Sequence, residues 1–151
     1  RGSLIAPSKN HKKRRKEMIT FNSIEEIKKY YNKNTNTYEF IEDDTLLDVK
    51  FAFDLEINGN IKARDIKAWD IKAQNIRAYD INALDINALD INANVINARN
   101  IKAGDITYYA VCFAYRNIEC LSIKGLIVNA KHFVLNGEIK IIEKNKRRKE
   151  K

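Results

Sequence analysis

The sequence predicts an all-β solenoid, and three regularities predict it. Ile recurs every five residues from Ile61 to Ile106, ten positions without a miss. Ala follows two residues behind nine of them, from Ala63 to Ala103. Asp or Asn precedes every one except Ile96, which follows Val95. A period of five suits neither a 3.6-residue helix nor a long two-residue alternation. It suits a chain that takes a short extended step and then turns a corner. Within the step Ile-polar-Ala, alternation points Ile and Ala one way and the polar residue the other. The remaining pair, x-Asx, makes the corner, where Asp and Asn bond local backbone and tolerate unusual dihedral angles. One coil of this kind cannot bury its apolar side, whereas a stack of coils can.

Composition agrees. The 151 residues fit one domain, and 44% apolar content supplies a core. Five Gly and one Pro exclude collagen-like and Gly/Pro-rich chains, and two Cys are too few for a disulfide scaffold. No apolar run approaches the roughly 18 residues of a membrane helix, and no secretory h-region is present. The expectation is a soluble, cytoplasmic chain that does not enter a membrane.

The net charge of +8 is uneven. Residues 1–35 carry +7, residues 36–140 carry −3 and residues 141–151 carry +4. Residues 1–17 read as a basic segment, disordered or expression-derived, because Met18 is the only methionine and Arg1-Gly2-Ser3 resembles a cloning remnant. Residues 143–151 read as a basic tail.

Residues 18–56 read as an N-terminal cap, since an open solenoid exposes sheet edges. Ser23 and Glu26 have the spacing of a capping box and predict a short helix to about Tyr31. Tyr38–Ile41 and 46–57 predict a hairpin about Glu42-Asp43-Asp44, its second strand alternating through Val49, Phe51, Phe53, Leu55 and Ile57. The solenoid occupies 57–142. Beyond Ile106 the step continues imperfectly, with Val111/Phe113, Ile118/Cys120, Ile123/Gly125, Val128/Ala130 and Phe133/Leu135 in the inward places and Cys112 facing out. Asn136-Gly137 predicts a closing hairpin.

The pairs Asp70-Ile71, Asp80-Ile81 and Asp85-Ile86 resemble the Asp/Asn-apolar core of the pentapeptide-repeat family, and their wording is similar to uncharacterised proteins of low-GC bacteria and phages. The resemblance implies a right-handed, quadrilateral β-helix of four units per coil. At roughly 20 residues per coil, stacked units bring Trp69 onto Leu89 and Arg64 onto Leu84 in a mixed apolar ridge, which favours four units. Coils of three units remain the alternative.

Chemistry is sparse. His11 and His132 have no Cys or carboxylate at metal spacing, Cys112 and Cys120 form no Cys-x-x-Cys, and no Gly-rich phosphate loop occurs. The recurring Asp residues answer a turn requirement. No nucleophile–base pair is readable, so the expectation is a protein with no catalytic residue, no metal and no cofactor. Trp69, Tyr79, Leu84 and Leu89 occupy an outward repeat position with Arg64 and Arg99, and large apolar residues on a rigid face mark interfaces. The first reading is therefore a non-enzymatic module that binds a protein partner, such as a nucleic-acid-processing or phage-defence complex. Inhibition of that partner is one version of this reading and a homodimer another. The second reading is sequence-nonspecific nucleic-acid binding through Lys62, Lys67, Lys72, Arg77, Lys146, Arg147 and Arg148.

Overall fold

The computed structural model describes residues 17–142. Lys146, Arg147 and Arg148, and the basic blocks as a whole, lie outside the described residues. The chain winds as an all-β solenoid of about five turns whose parallel strands join into one sheet of 16 strands.

The coil is smaller than the sequence suggested. Asp70–Lys72 pairs with Asp85–Asn87 in the register Ile71↔Ile86. Asn75–Arg77 pairs with residues 90–92 through Ile76↔Ile91, and Asp80–Asn82 with residues 95–97 through Ile81↔Ile96. Every offset equals three repeat units, so three units close one coil and the cross-section has three sides. The expected quadrilateral coil of four units is corrected. The physical reason lies in the corners. One residue, such as Trp69 between Asp65–Ala68 and Asp70–Lys72, suffices to turn the chain, and the backbone N–H groups on either side of each corner bond the coil before. Both Leu84 N–H (2.6 Å) and Asp85 N–H (3.2 Å) reach the Trp69 carbonyl.

The three faces are easily followed. The first stacks Thr37–Glu39, Asn60–Lys62, Asn75–Arg77, 90–92, 105–107 and Ser122–Gly125. The second stacks Ile19–Phe21, Val49–Phe51, Asp65–Ala68, Asp80–Asn82, 95–97, 111–114 and Lys131–Val134. The third stacks Leu55–Glu56, Asp70–Lys72, Asp85–Asn87, 100–102, 118–120 and Ile139–Ile141. Every Ile of the repeat is buried, and so is every Ala before Ala103, while the residue between them faces water, as the alternation requires. No charged side chain among the described residues is buried.

The Asx column works between coils rather than within corners. Asn60 Oδ1 accepts from the Asn75 N–H at 3.2 Å and Asp90 Oδ1 from the Asp105 N–H at 3.1 Å, each one coil ahead. Asp85 Oδ1 takes the Asn100 side-chain amide at 3.1 Å. At these positions the side-chain oxygen, which Asp and Asn share, ties one rung to the next.

The N-terminal cap differs in detail. Ile24–Tyr30 is a 3-10 helix. Ser23 is extended and makes no side-chain cap, while the Glu26 carboxylate accepts from the Asn22 N–H at 2.7 Å. A hairpin forms at the expected turn but is only two residues a side, Ile41–Glu42 with Thr45–Leu46 rather than Tyr38–Ile41 with 46–57, and is closed by Asp43 and Asp44 at positive φ (52° and 61°), the two-residue turn that matches strand twist. A second hairpin joins Tyr31–Asn32 to Thr37–Glu39. The alternation through 49–57 is two rungs on different faces. Val49, Phe51, Leu55 and Ile57 are buried, and Phe53 sits at the corner between them. Coiling therefore begins at Ile19, well before residue 57. Phe21, Phe40 and Phe51 pack with Tyr30 under the helix.

The C-terminal part is rephased. The coil at 105–121 is longer than three units, with register shifts opposite Asn94 and Arg99. One extra residue at each of two corners moves Cys112 and Ala114, not Val111 and Phe113, into the inward places. Phe133 stacks outward on Phe113 at 5.0 Å, and His132 takes the inward place above Cys112. The expected Asn-Gly hairpin does not form: Lys131–Val134 and Ile139–Ile141 lie on separate faces, each parallel to the preceding coil, and Gly137 has no positive φ.

Candidate interaction surface

The three corners distribute the outward residues that the sequence grouped. Trp69, Leu84 and Arg99 share the corner between the second and third faces, because Leu84 N–H donates to the Trp69 carbonyl and Arg99 N–H to the Leu84 carbonyl, at 2.6 and 2.7 Å. Arg64 and Tyr79 share the corner between the first and second faces. Leu89 stands on the remaining corner, over Gln74. The expected pairings Trp69–Leu89 and Arg64–Leu84 are therefore corrected by the three-unit coil.

The first corner carries the only tryptophan in an apolar row. It runs Phe53, Trp69, Leu84, Arg99 and Tyr115, one residue per coil and about 4.8 Å between rungs. Trp69 is 57% exposed, Leu84 44% and Tyr115 45%. Arg99 is held along the ridge, its Nε and Nη2 donating to Asp85 Oδ1 and Oδ2 at 3.2 and 3.0 Å. Phe53 and Tyr115 escaped the sequence reading; a three-unit spacing, lengthened by one at each coil that carries an insertion, finds both. The helix Ile24–Tyr30 packs on the first coils and leaves Trp69 uncovered.

The second corner is more structural. Arg64 Nε and Nη2 clamp Asp48 at 2.8 and 2.7 Å. That guanidinium holds the Asp48 carboxyl below its ordinary value, chiefly by hydrogen bonding. Asp65, stacked between Asp48 and Asp80, is raised by burial first and then by those two charges.

The first-coil cations diverge. Lys62 and Arg77 are register partners on the first face, Lys67 faces out from the second beside Lys50, and Lys72 from the third, 3.8 Å from Glu56. Beside Lys62 and Arg77 lies a shallow groove of about 420 Å³ that Thr37, Glu39, Asn75 and Asn92 also line. Its charges are mixed and hold no nucleophile–base pair. Cys112 and Cys120 are buried free thiols, pushed by desolvation up to about 12 and about 11. Buried Tyr108 meets exposed His132 through a 2.7 Å hydrogen bond between its hydroxyl and Nδ1. No group of three His, Cys, Asp or Glu among the described residues could hold a metal ion, and no described helix is long and apolar enough to cross a membrane.

Set against protein-family models, curated proteins and solved structures, the chain matches none.

Proposed function

We propose that this chain is a non-enzymatic protein-interaction module. A rigid solenoid of variant pentapeptide-type repeats presents the Phe53–Trp69–Leu84–Arg99–Tyr115 corner to a protein partner in the cytoplasm. The observation that carries this reading is the ridge itself. Trp69, Leu84 and Tyr115 are exposed along one corner, with Arg99 fixed among them and half-buried Phe53 at its foot. Trp, Tyr and Arg dominate interface energetics, and a rung spacing fixed by backbone hydrogen bonds leaves little entropy to lose on binding. A nucleic-acid-processing or phage-defence complex is the partner class proposed, and inhibition by occupancy its simplest consequence.

Nucleic-acid binding through Lys62 and Arg77, with Lys67, Lys72 and the basic ends, is the rival reading, favoured by the register pairing of Lys62 with Arg77. Affinity capture from the host with the wild-type chain, Trp69→Ala/Leu84→Ala and Leu89→Ala decides between them. The module reading predicts a protein lost with the double variant and kept with Leu89→Ala. Nuclease-sensitive capture that falls steeply with salt and ignores the double variant would favour the rival.

A further inference from the structure

Among the described residues the solenoid carries a helix and hairpins at one end only. At the start, the helix Ile24–Tyr30 and the two hairpins cover the first coils, and Ile27, Phe40 and Leu47 are buried beneath them. At the other end, Ser122–Gly125, Lys131–Val134 and Ile139–Ile141 pair only with the coil before them. Their far edges are free among the described residues. The interior columns show the same break. Ile106, Tyr108, Cys112, Ala114, Ile118 and Cys120 are at most 1% exposed, whereas Ile141, directly above Cys120, is 51% exposed. Of the 13 large apolar residues exposed in the described chain, Leu126, Val128, Phe133, Leu135 and Ile141 all belong to this last coil.

We infer that this open end is an interface between two copies of the chain, joined tail to tail. Three observations select that occupant. An extended peptide could pair with one free edge and would leave the other two bare, whereas a second open end offers three edges on the same triangle. A two-fold axis runs those edges antiparallel and makes the contact self-complementary. Second, Ile141 and the half-buried Ile123, Val134 and Ile139 top the interior columns on all three faces, so the open end presents an apolar surface that a second, identical end would cover. Third, residues 143–151, which follow directly, contain no apolar side chain, so they cannot dry this surface. A two-fold contact is closed by its own symmetry, so assembly stops at two. Lys124, Lys131 and Lys140 lie on the last coil of both copies and repel across the contact. Added salt therefore tightens the dimer, the reverse of nucleic-acid binding.

Sedimentation equilibrium of the full chain from about 1 to about 200 µM tests this, with amide exchange of residues 122–141 followed over the same range. Expected are a reversible dimer that tightens with salt, exchange in the last coil that slows as concentration rises, and a loss of about tenfold or more in dimer affinity for Ile141→Glu. Trp69→Ala leaves the dimer intact, which separates this surface from the partner ridge. A dimer indifferent to Ile141→Glu, with unprotected last-coil amides, overturns the inference. So does a monomer whose last-coil amides are protected at the lowest concentration, which assigns the end to the chain's own residues. A monomer unprotected throughout also overturns it and assigns the end to a different protein. If Ile141→Glu fails to fold, the wild-type exchange series decides alone.

Discussion

The N–H of Leu84 donates to the carbonyl of Trp69, one coil earlier, at 2.6 Å. That bond sets two large exposed side chains on adjacent rungs of one corner, which neither a helix nor a four-unit coil would do. Their placement comes from backbone, so the side chains are free to serve a partner. Trp69→Ala and Leu84→Ala should each cost under about 1 kcal/mol in urea unfolding while weakening partner capture severalfold. Equal loss of stability and capture would show that the ridge is packing surface.

The core makes the opposite prediction. Ile81 is 1% exposed with Ile66 and Ile96 as register partners on either side. Ile81→Ala leaves a cavity between two rungs that backbone bonds keep apart, at a cost of about 2–5 kcal/mol. Asn82→Ala, one residue on and facing water, should change stability in urea by little more than about 0.5 kcal/mol.

Acid sensitivity divides by whether the carboxylate holds an Arg. Hydrogen bonds from Arg64 and Arg99 hold Asp48 and Asp85 below the ordinary aspartate value of 3.8. Such groups add stability above that value and lose it as pH falls through their lowered folded values. Asp65 is raised, by burial and then by Asp48 and Asp80, so its charge costs stability near neutrality and protonation removes that cost. Asp65→Asn should therefore raise the urea midpoint near pH 7 and lose the advantage near pH 3, and Arg99→Gln should flatten the acid limb. A midpoint for Asp65→Asn that is unchanged or lower near pH 7 would contradict the stacking of Asp65 between two like charges.

The sequence made the inward columns legible because the step Ile-polar-Ala obeys a strict two-residue alternation. The number of steps per coil was not legible. A five-residue unit stacks equally well three or four to a coil, and what distinguishes them is hydrogen bonding across corners such as Trp69, where side-chain identity is unconstrained. Phase was lost at Tyr109-Ala110 and Tyr115-Arg116, where one added residue per corner exchanges inside for outside. Cys112 was thereby placed in water when it fills an Ile column. The ridge was half legible: Trp69, Leu84 and Arg99 carried the signal, but without the coil number Leu89 and Tyr79 could not be separated from them.

Burial of Cys112 gives an independent check of that phase. Its thiol, raised to about 12, should resist a thiol reagent in the folded chain and react at the rate of unfolding, as should Cys120. Rapid labelling of Cys112 under native conditions would restore the outward phase.

Trp69 is the only tryptophan, so its fluorescence reports on the ridge alone. Acrylamide quenching of the free chain and of the chain bound to its captured partner is the most direct measurement. The module reading predicts ready quenching in the free chain and protection with a blue shift in the complex. A Trp69 already protected in the free chain, or equally quenched when the partner is bound, would contradict it.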